Sequence, residues 1–279
     1  MPKLLSANLA RLRAYKPFWV ECAALFAFGI FIIVTRYQDY GRSVAIEDVF
    51  FGYTTMIGMV CAIFVSLFLG TEYSDGTYKN KIVIGHTKTA VYLSNVIIGV
   101  VAGLILNLAW ILSMLSLGTI LFGWFTLSAV SIFSRLAAIL MMTVAYVAFF
   151  TLLCMLNSNK AGSAVVALLS FFALLFVGSY CNFRLEEPSM IDLNPYTVTF
   201  ESDGAIIDYQ PELVPNPNYL EGFEREIYEF VNDFLPTGQA IQLSQLIDLN
   251  LVRMILCSIS ILVLATLIGI TFFRRKDLK

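Results

Sequence analysis

The sequence predicts an all-α polytopic membrane protein: six transmembrane helices, an N-terminal interfacial amphipathic helix and a helical external segment before the last span. Three observations lead there. Hydrophobic residues make up 58% of the 279-residue chain and charged residues only 14%, outside the range of soluble domains and inside that of multi-spanning proteins. Apolar runs recur at about 20 residues, the length a helix needs to cross a hydrocarbon core about 30 Å thick. Backbone groups find no water in that core, so a span is a helix or part of a closed barrel, and long unbroken runs select helices.

The chain opens with "MPKLLSANLARLRAYKPFWVE". Over residues 1–16, Leu5, Leu9 and Leu12 recur at helical spacing, while Lys3, Arg11 and Arg13 lie elsewhere around the wheel. That is the pattern of a helix lying on the membrane surface before Pro17 starts the first span; a disordered basic tail is the alternative. The apolar run that follows ends in "IIVTRYQDY" with no small-x-small cleavage site, so the first helix is expected to stay uncleaved. Spans are expected near 17–35, 49–69, 91–119, 134–156, 161–181 and 250–273. Five of them fill residues 17–181, and the sixth, with a basic tail, fills 250–279. The third has room for an interfacial extension, and "NSNKAG" alone joins the fourth to the fifth. No internal repeat is visible, and the unequal loops argue against an inverted-repeat transporter.

Six spans put both termini on one side. That side collects Lys3, Arg11, Arg13, Lys16, Lys79, Lys81, Lys88, Lys160, Arg274, Arg275, Lys276 and Lys279. Only Arg36, Arg42, Arg184 and Arg225 fall in the opposite loops, with Arg135 and Arg253 at the mouths of spans. The positive-inside rule then predicts a multi-pass protein of the cytoplasmic membrane with both termini in the cytoplasm.

Residues 182–249 form the sizeable external segment and hold most of the acid, including Glu186, Glu187, Asp192, Glu201, Asp203, Asp208, Glu212 and Asp248. Within it, Leu220, Phe223, Ile227, Phe230, Val231 and Phe234 follow the period of an amphipathic helix that stops at Pro236, and "QAIQLSQLI" predicts a second short helix. The acidic face of Glu221, Glu224, Glu226, Glu229 and Asp233 has two readings: a solvated surface, or a patch that attracts cationic substrate near the exit of a pathway.

Enzymatic motifs are missing. His86 is the single histidine, and the sequence has no HExxH, no His/Cys zinc cluster, no GxSxG and no GxxxxGK[ST] phosphate loop. No catalytic residue, cofactor or metal is therefore expected in this chain, and energy from ATP would have to come from a partner. At membrane depth stand Glu21, Arg135 and Arg253, each near a predicted surface. An ion pair of Glu21 with Lys16 or a basic group on a neighbouring helix is favoured over a proton relay. Asn107, Trp110, Ser113 and Ser116 on the third span serve helix packing or line a path. Cys22, Cys61, Cys154, Cys181 and Cys257 have no ligand-like spacing and read as small apolar packing groups, though a Cys181–Cys257 disulfide is geometrically conceivable.

The connector "GTEYSDGTYKNKIVIGHTKTAVYLSN", residues 70–95, carries the most local structure. Ser74, Asp75 and Gly76 signal a turn, with Asp75 able to cap a short helix starting near Thr77. Tyr78 and Ile82 share a face, Gly85 supplies a stop, and Thr87 or Thr89 can cap the next span. A short rigid helix results, with Tyr78, Ile82 and the lysines facing a partner.

This stretch resembles the corresponding segment of type-2 ABC transporter permeases, bacterial exporters of drugs, antimicrobial peptides and ions. The resemblance lies in the glutamate and Gly-Thr of "EYSDGT", in "KNKIVIGHTKT" and in "VYLSN", and extends to the plan of six spans and the external segment ending "FLPTGQAIQLSQ". It implies a cytoplasmic coupling helix at about 71–89, with Glu72, Asp75, Gly76, Thr77, Tyr78, Lys79, Lys81, Ile82 and His86 as ATPase-coupling residues. It also implies two ATP-binding subunits holding ATP and Mg, and a second permease chain, identical or related. An amphipathic, antimicrobial or cytolytic peptide is the expected substrate, with hydrophobic drugs or sodium as alternatives. Membrane lipid is an expected partner and nucleic acid is not. A non-transporting receptor or assembly protein is the reading from a different class.

Overall fold

The computed structural model describes residues 1–157, 159–193, 197–201, 204–208, 212–246 and 249–276. Its helices in chain order are α1 (Pro2–Ala14), α2 (Lys16–Tyr40), α3 (Ile46–Phe50), α4 (Thr54–Ser74), α5 (Thr77–Val83) and α6 (Lys88–Ser113). There follow α7 (Thr119–Phe122), α8 (Ala129–Leu156), α9 (Lys160–Leu185), α10 (Gly222–Phe234), α11 (Pro236–Gln245) and α12 (Leu251–Arg275). Six helical stretches among the described residues are long and apolar enough to cross a membrane, and the expected spans fall within them, the last starting one residue later than expected. The second stretch joins α3 to α4 through a tight turn at Phe51–Tyr53, and the third joins α6 to α7 through a wider turn at Met114–Gly118. The protein is an all-α polytopic membrane protein.

Helix α8 packs against α4, α6, α9 and α12, and with α4 it forms the buried centre of the bundle. Lipid offers helices no hydrophobic drive to associate, so close packing and buried hydrogen bonds must supply it. Small residues make the approach possible: Gly99 and Gly103 of α6 face Val147 and Thr143 of α8, and Gly58 of α4 faces Tyr146 and Phe171. Asn107 links three helices, accepting from the Tyr53 hydroxyl at 2.7 Å and donating to Thr143 at 3.0 Å, while the Trp110 indole donates to the Phe50 carbonyl at 3.0 Å. Asn107, Trp110 and Ser113 are buried, so this polar row of the third span packs helices. All five cysteines, Cys181 and Cys257 among them, are free thiols.

Three features go beyond the sequence expectations. Helix α1 forms as expected and docks on α6 through buried Leu4, Asn8 and Leu12, where Asn8 finds polar partners. Helix α11 covers most of "QAIQLSQLI", where a second short helix is expected. It is buried against α4, α8 and α9, where its polar groups are satisfied: Thr54 donates to the Ala240 carbonyl, Thr237 to the Leu174 carbonyl, and Ser258 to Gln239. Pro236 begins this helix, its missing N–H costing nothing at a first-turn position. Third, the segment before α10 forms two antiparallel strand pairs, β1 (Met190–Asp192) with β4 (Leu213–Pro215) and β2 (Thr197–Glu201) with β3 (Gly204–Asp208). Of the charged residues read from the sequence, Asp203, Asp248 and Lys279 lie outside the described residues, and for Glu201 and Asp208 only the backbone is described.

Among the tight small-residue contacts is Gly269 of α12, where an added Cβ would run into the Tyr92 hydroxyl and ring. Gly269→Ala is expected to cost about 1–3 kcal/mol by overpacking. The loss should appear as a lower melting temperature of the purified chain, and Tyr92→Ala in the same chain should recover part of it.

Candidate functional site

The connector lies at the end of the bundle that also carries both termini. Helix α4 closes at Asp75, whose N–H bonds back to the Thr71 carbonyl, and Gly76 then takes a left-handed φ of +65° that few other residues adopt without strain. The turn sends α5 off at once, and the Thr77 hydroxyl ties it by donating to the Glu72 carbonyl at 2.9 Å. Asp75 does not cap α5: the tight turn makes Gly76 the preceding residue, no side chain caps the helix, and the Asp75 carboxylate is left exposed. Gly85, at φ +100°, lies in the stop after α5, and Thr87 caps α6 by accepting from the Ala90 N–H at 3.2 Å.

Beneath α5 lies a polar knot. The Glu72 side chain is fully buried and forms ion pairs with Arg11 of α1 and Lys81 of α5 through one oxygen. Its other oxygen accepts from the Asn95 amide of α6 at 3.1 Å. Asn8 completes the ring, accepting from Lys81 at 2.8 Å and donating to Ser94 at 3.0 Å and to Asn95 at 3.1 Å. Arg11 also donates to the Phe68 carbonyl at 2.8 Å and stacks over the Phe68 ring. Tyr78, only 1% exposed, accepts from Asn95 at 3.0 Å and donates to the Met155 sulfur. One carboxylate thus binds α1, α4, α5 and α6 together.

A second brace stands beside it. Lys276 donates to the carbonyls of Met155, Leu156 and Asn157 at 2.8–3.1 Å, where α8 ends, and Lys88 donates to the carbonyls of Arg274 and Lys276, where α12 ends. Each ammonium answers carbonyls that a helix leaves unpaired at its C-terminus.

Burial sets the charge of the knot. It lowers the Arg11 guanidinium to about 10. Burial first, and the Arg11 charge second, lower the Lys81 ammonium to about 7. Burial also pushes the Tyr78 phenol well above its usual range, so it stays a neutral hydrogen-bonding group. Lys276 is lowered by burial to about 8.

The structure divides the candidate coupling residues. Glu72 and Tyr78 are internal, and Lys81 is turned into the knot. Gly76, Thr77, Ile82 and His86 are half-buried, while Asp75 and Lys79 are exposed. The exposed face of α5 and its end is therefore Lys79, Asn80, Val83 and Ile84, with Val83 84% and Ile84 77% exposed. Tyr78 faces inward, where Asn95 and Met155 offer it partners, while Ile82 on the same side stays half-buried. Sequence reasoning missed Val83 and Ile84, although two aliphatic residues just before a glycine stop are a visible signal. It also missed Asn8, an amide in the same stripe as Leu4 and Leu12.

At the far end of the bundle the acidic group is partly neutralised. Glu229 pairs with Arg225 at 2.9 Å, and Asp233 pairs with Arg253 at 3.1 Å and accepts from Gln242. Burial nonetheless holds Asp233 above its usual carboxylate range. Glu221, Glu224 and Glu226 are exposed. Glu47 is buried there and braces residues 126 and 127, accepting their backbone N–H groups at 3.0 Å. Glu21 forms no ion pair with Lys16 or any neighbour among the described residues: α2 turns it into an apolar groove, and Lys16 stands at the mouth of that groove without pairing with it.

No model of a known protein family matches the chain, and no curated protein matches it.

Glu72→Ala would strand the partly buried Arg11 cation and take from Lys81 its carboxylate partner, and is expected to cost about 3–5 kcal/mol. Loss of thermal stability and proteolytic release of the segment before Pro17 would show it. The knot should also respond to pH. Lys81 has a lower pKa folded than unfolded, so the unfolded chain binds more protons between about pH 7 and the free-lysine value near 10.5. Stability should therefore rise with pH across that window and fall as pH drops through about 7. A melting series should show this slope, and Lys81→Met should flatten it.

Proposed function

We propose that the chain is the transmembrane permease subunit of an ATP-driven exporter of the ABC type, and that Lys79, Asn80, Val83 and Ile84 dock on its ATP-binding partner. One observation carries the reading: a short helix is locked from below by a buried ion knot while its outer end presents two bare aliphatic side chains. Fixed exposed apolar residues ringed by polar ones are what a protein interface uses as anchors. A lever also has to be stiff, and α5 is tied to α1, α4 and α6 at once. The resemblance of residues 70–95 to a permease coupling segment supports the same assignment.

On this reading the end carrying the termini is cytoplasmic, as its lysines and arginines suggest. Two ATP-binding chains supply ATP and Mg, and two permease chains, identical or related, form the pathway. The cargo is an amphipathic or antimicrobial peptide, drawn at the outer end by exposed Glu221, Glu224 and Glu226. Hydrophobic drugs or sodium are the other cargo classes the resemblance admits.

Co-expression with an ATP-binding subunit encoded beside it tests the proposal. Val83→Asp with Ile84→Asp should weaken co-purification at least about tenfold and remove permease-dependent ATP hydrolysis. Both positions are exposed, so the melting temperature should stay at the wild-type value. Wild-type association of the double variant, or no ATPase association by the wild-type chain, would reject the reading.

A further inference from the structure

A groove of about 620 Å³ runs between α2 and α4. Helix α2 leans on α6 and touches α4 only sparsely, which leaves the groove open to the side. Val20, Ala24 and Phe28 form one wall and Met59, Ile63 and Leu67 the other. Glu21 is the single acidic residue in this lining, and its Oε1 is buried with no hydrogen-bond partner. Lys16 stands at the mouth, five residues earlier on α2, so Glu21 lies about 7.5 Å deeper along the helix.

An unpartnered carboxylate in an apolar site is costly, and at membrane depth it calls for a partner. The buried carboxylates Glu72 and Glu47 each have partners within the chain, although one oxygen of Glu47 is also left without one. Glu21 has none, and its surroundings define what could supply one. A lone carboxylate is too few ligands for a hard cation, which takes six or more oxygens. The groove has the volume of a small-molecule site, and its two methionines and Phe28 suit an apolar chain. The remaining requirement is a single cationic donor at the depth of Glu21, within the leaflet.

We propose that this groove binds a lipophilic amine, its apolar chain lying between α2 and α4 and its ammonium donating to the Glu21 carboxylate. Entry is lateral, from the leaflet on the termini side, because the groove opens between helices. This site needs no ATPase, so it is independent of the exporter reading.

Tritiated dodecylamine, equilibrated with the full chain in phosphatidylcholine nanodiscs and corrected for empty nanodiscs, provides the test. Saturable binding is expected, weakened at least about tenfold by Glu21→Gln through loss of a charge-assisted hydrogen bond. Ala24→Trp, at an exposed position that fills the groove, should abolish it. Dodecanol, with the same chain and no charge, should show no dependence on residue 21. Amine binding unchanged by Glu21→Gln, or unchanged by Ala24→Trp, would overturn the proposal. So would benzoylphenylalanine at Val20 trapping a second copy of the chain, which would make the groove a subunit interface. Every arm is read on the chain alone, so none of these results bears on whether an ATPase docks at α5.

Discussion

The arrangement of the termini end depends on one buried charge. Glu72, in the last turn of α4, is shared among Arg11, Lys81 and Asn95, groups delivered by α1, α5 and α6. A carboxylate taken out of water is stable only where ion pairs and hydrogen bonds replace its hydration, and removing a partner costs more than the pair contributes. The three partners are therefore not independent. Docking of α1, the direction of α5 and the start of α6 are conditions on the same group, and a change in one is felt by the others. Such a knot gives geometric specificity more than raw stability: an apolar cluster would hold the same elements with less insistence on their angles.

That insistence matters for what α5 could do. Its exposed end carries Val83 and Ile84, which bring no specific hydrogen bonds, so their use to a partner depends on being held in place. The knot does this from inside, and Lys276 and Lys88 do it from the side by joining the ends of α8 and α12. A force applied at α5 would then pass into α4 and α6 through fixed contacts. Arg11 extends the same coupling to α1, and through it to the start of α2 and the mouth of the groove that Glu21 faces.

Much of the fold was legible in the sequence because bilayer physics is severe. The expected spans coincide with long apolar helical stretches to within a residue at their starts or inside them, since an unbroken apolar run of that length satisfies its backbone in lipid as a helix. The punctuation of the connector was legible for local reasons: Gly85 and Thr87 act where their backbone and hydroxyl chemistry places them. What was hidden depends on distance. Arg11 and Glu72 are 61 residues apart, and nothing in either neighbourhood names the other. Periodicity showed that Tyr78 and Ile82 share a face but not that the face points inward, a choice made by Asn95 and Met155. The burial of α11 was hidden in the same way, because "QAIQLSQ" is polar enough for a surface and becomes internal only when Thr54 and Ser258 supply its hydrogen bonds.

Glu72 and Glu21 are the same side chain under the same rule, and they show how function can be separated from structure. Both sit near the termini end, Glu72 fully buried and Glu21 with one oxygen buried. Glu72 meets two cations and an amide, so its charge is answered within the fold and its role is to hold elements together. Glu21 meets methylene and aromatic surface, with a buried oxygen unanswered. A fold that satisfies one carboxylate so fully has shown that it can bring lysine, arginine and asparagine to such a group. Leaving the other bare beside an open groove points outward, to a partner the chain does not contain.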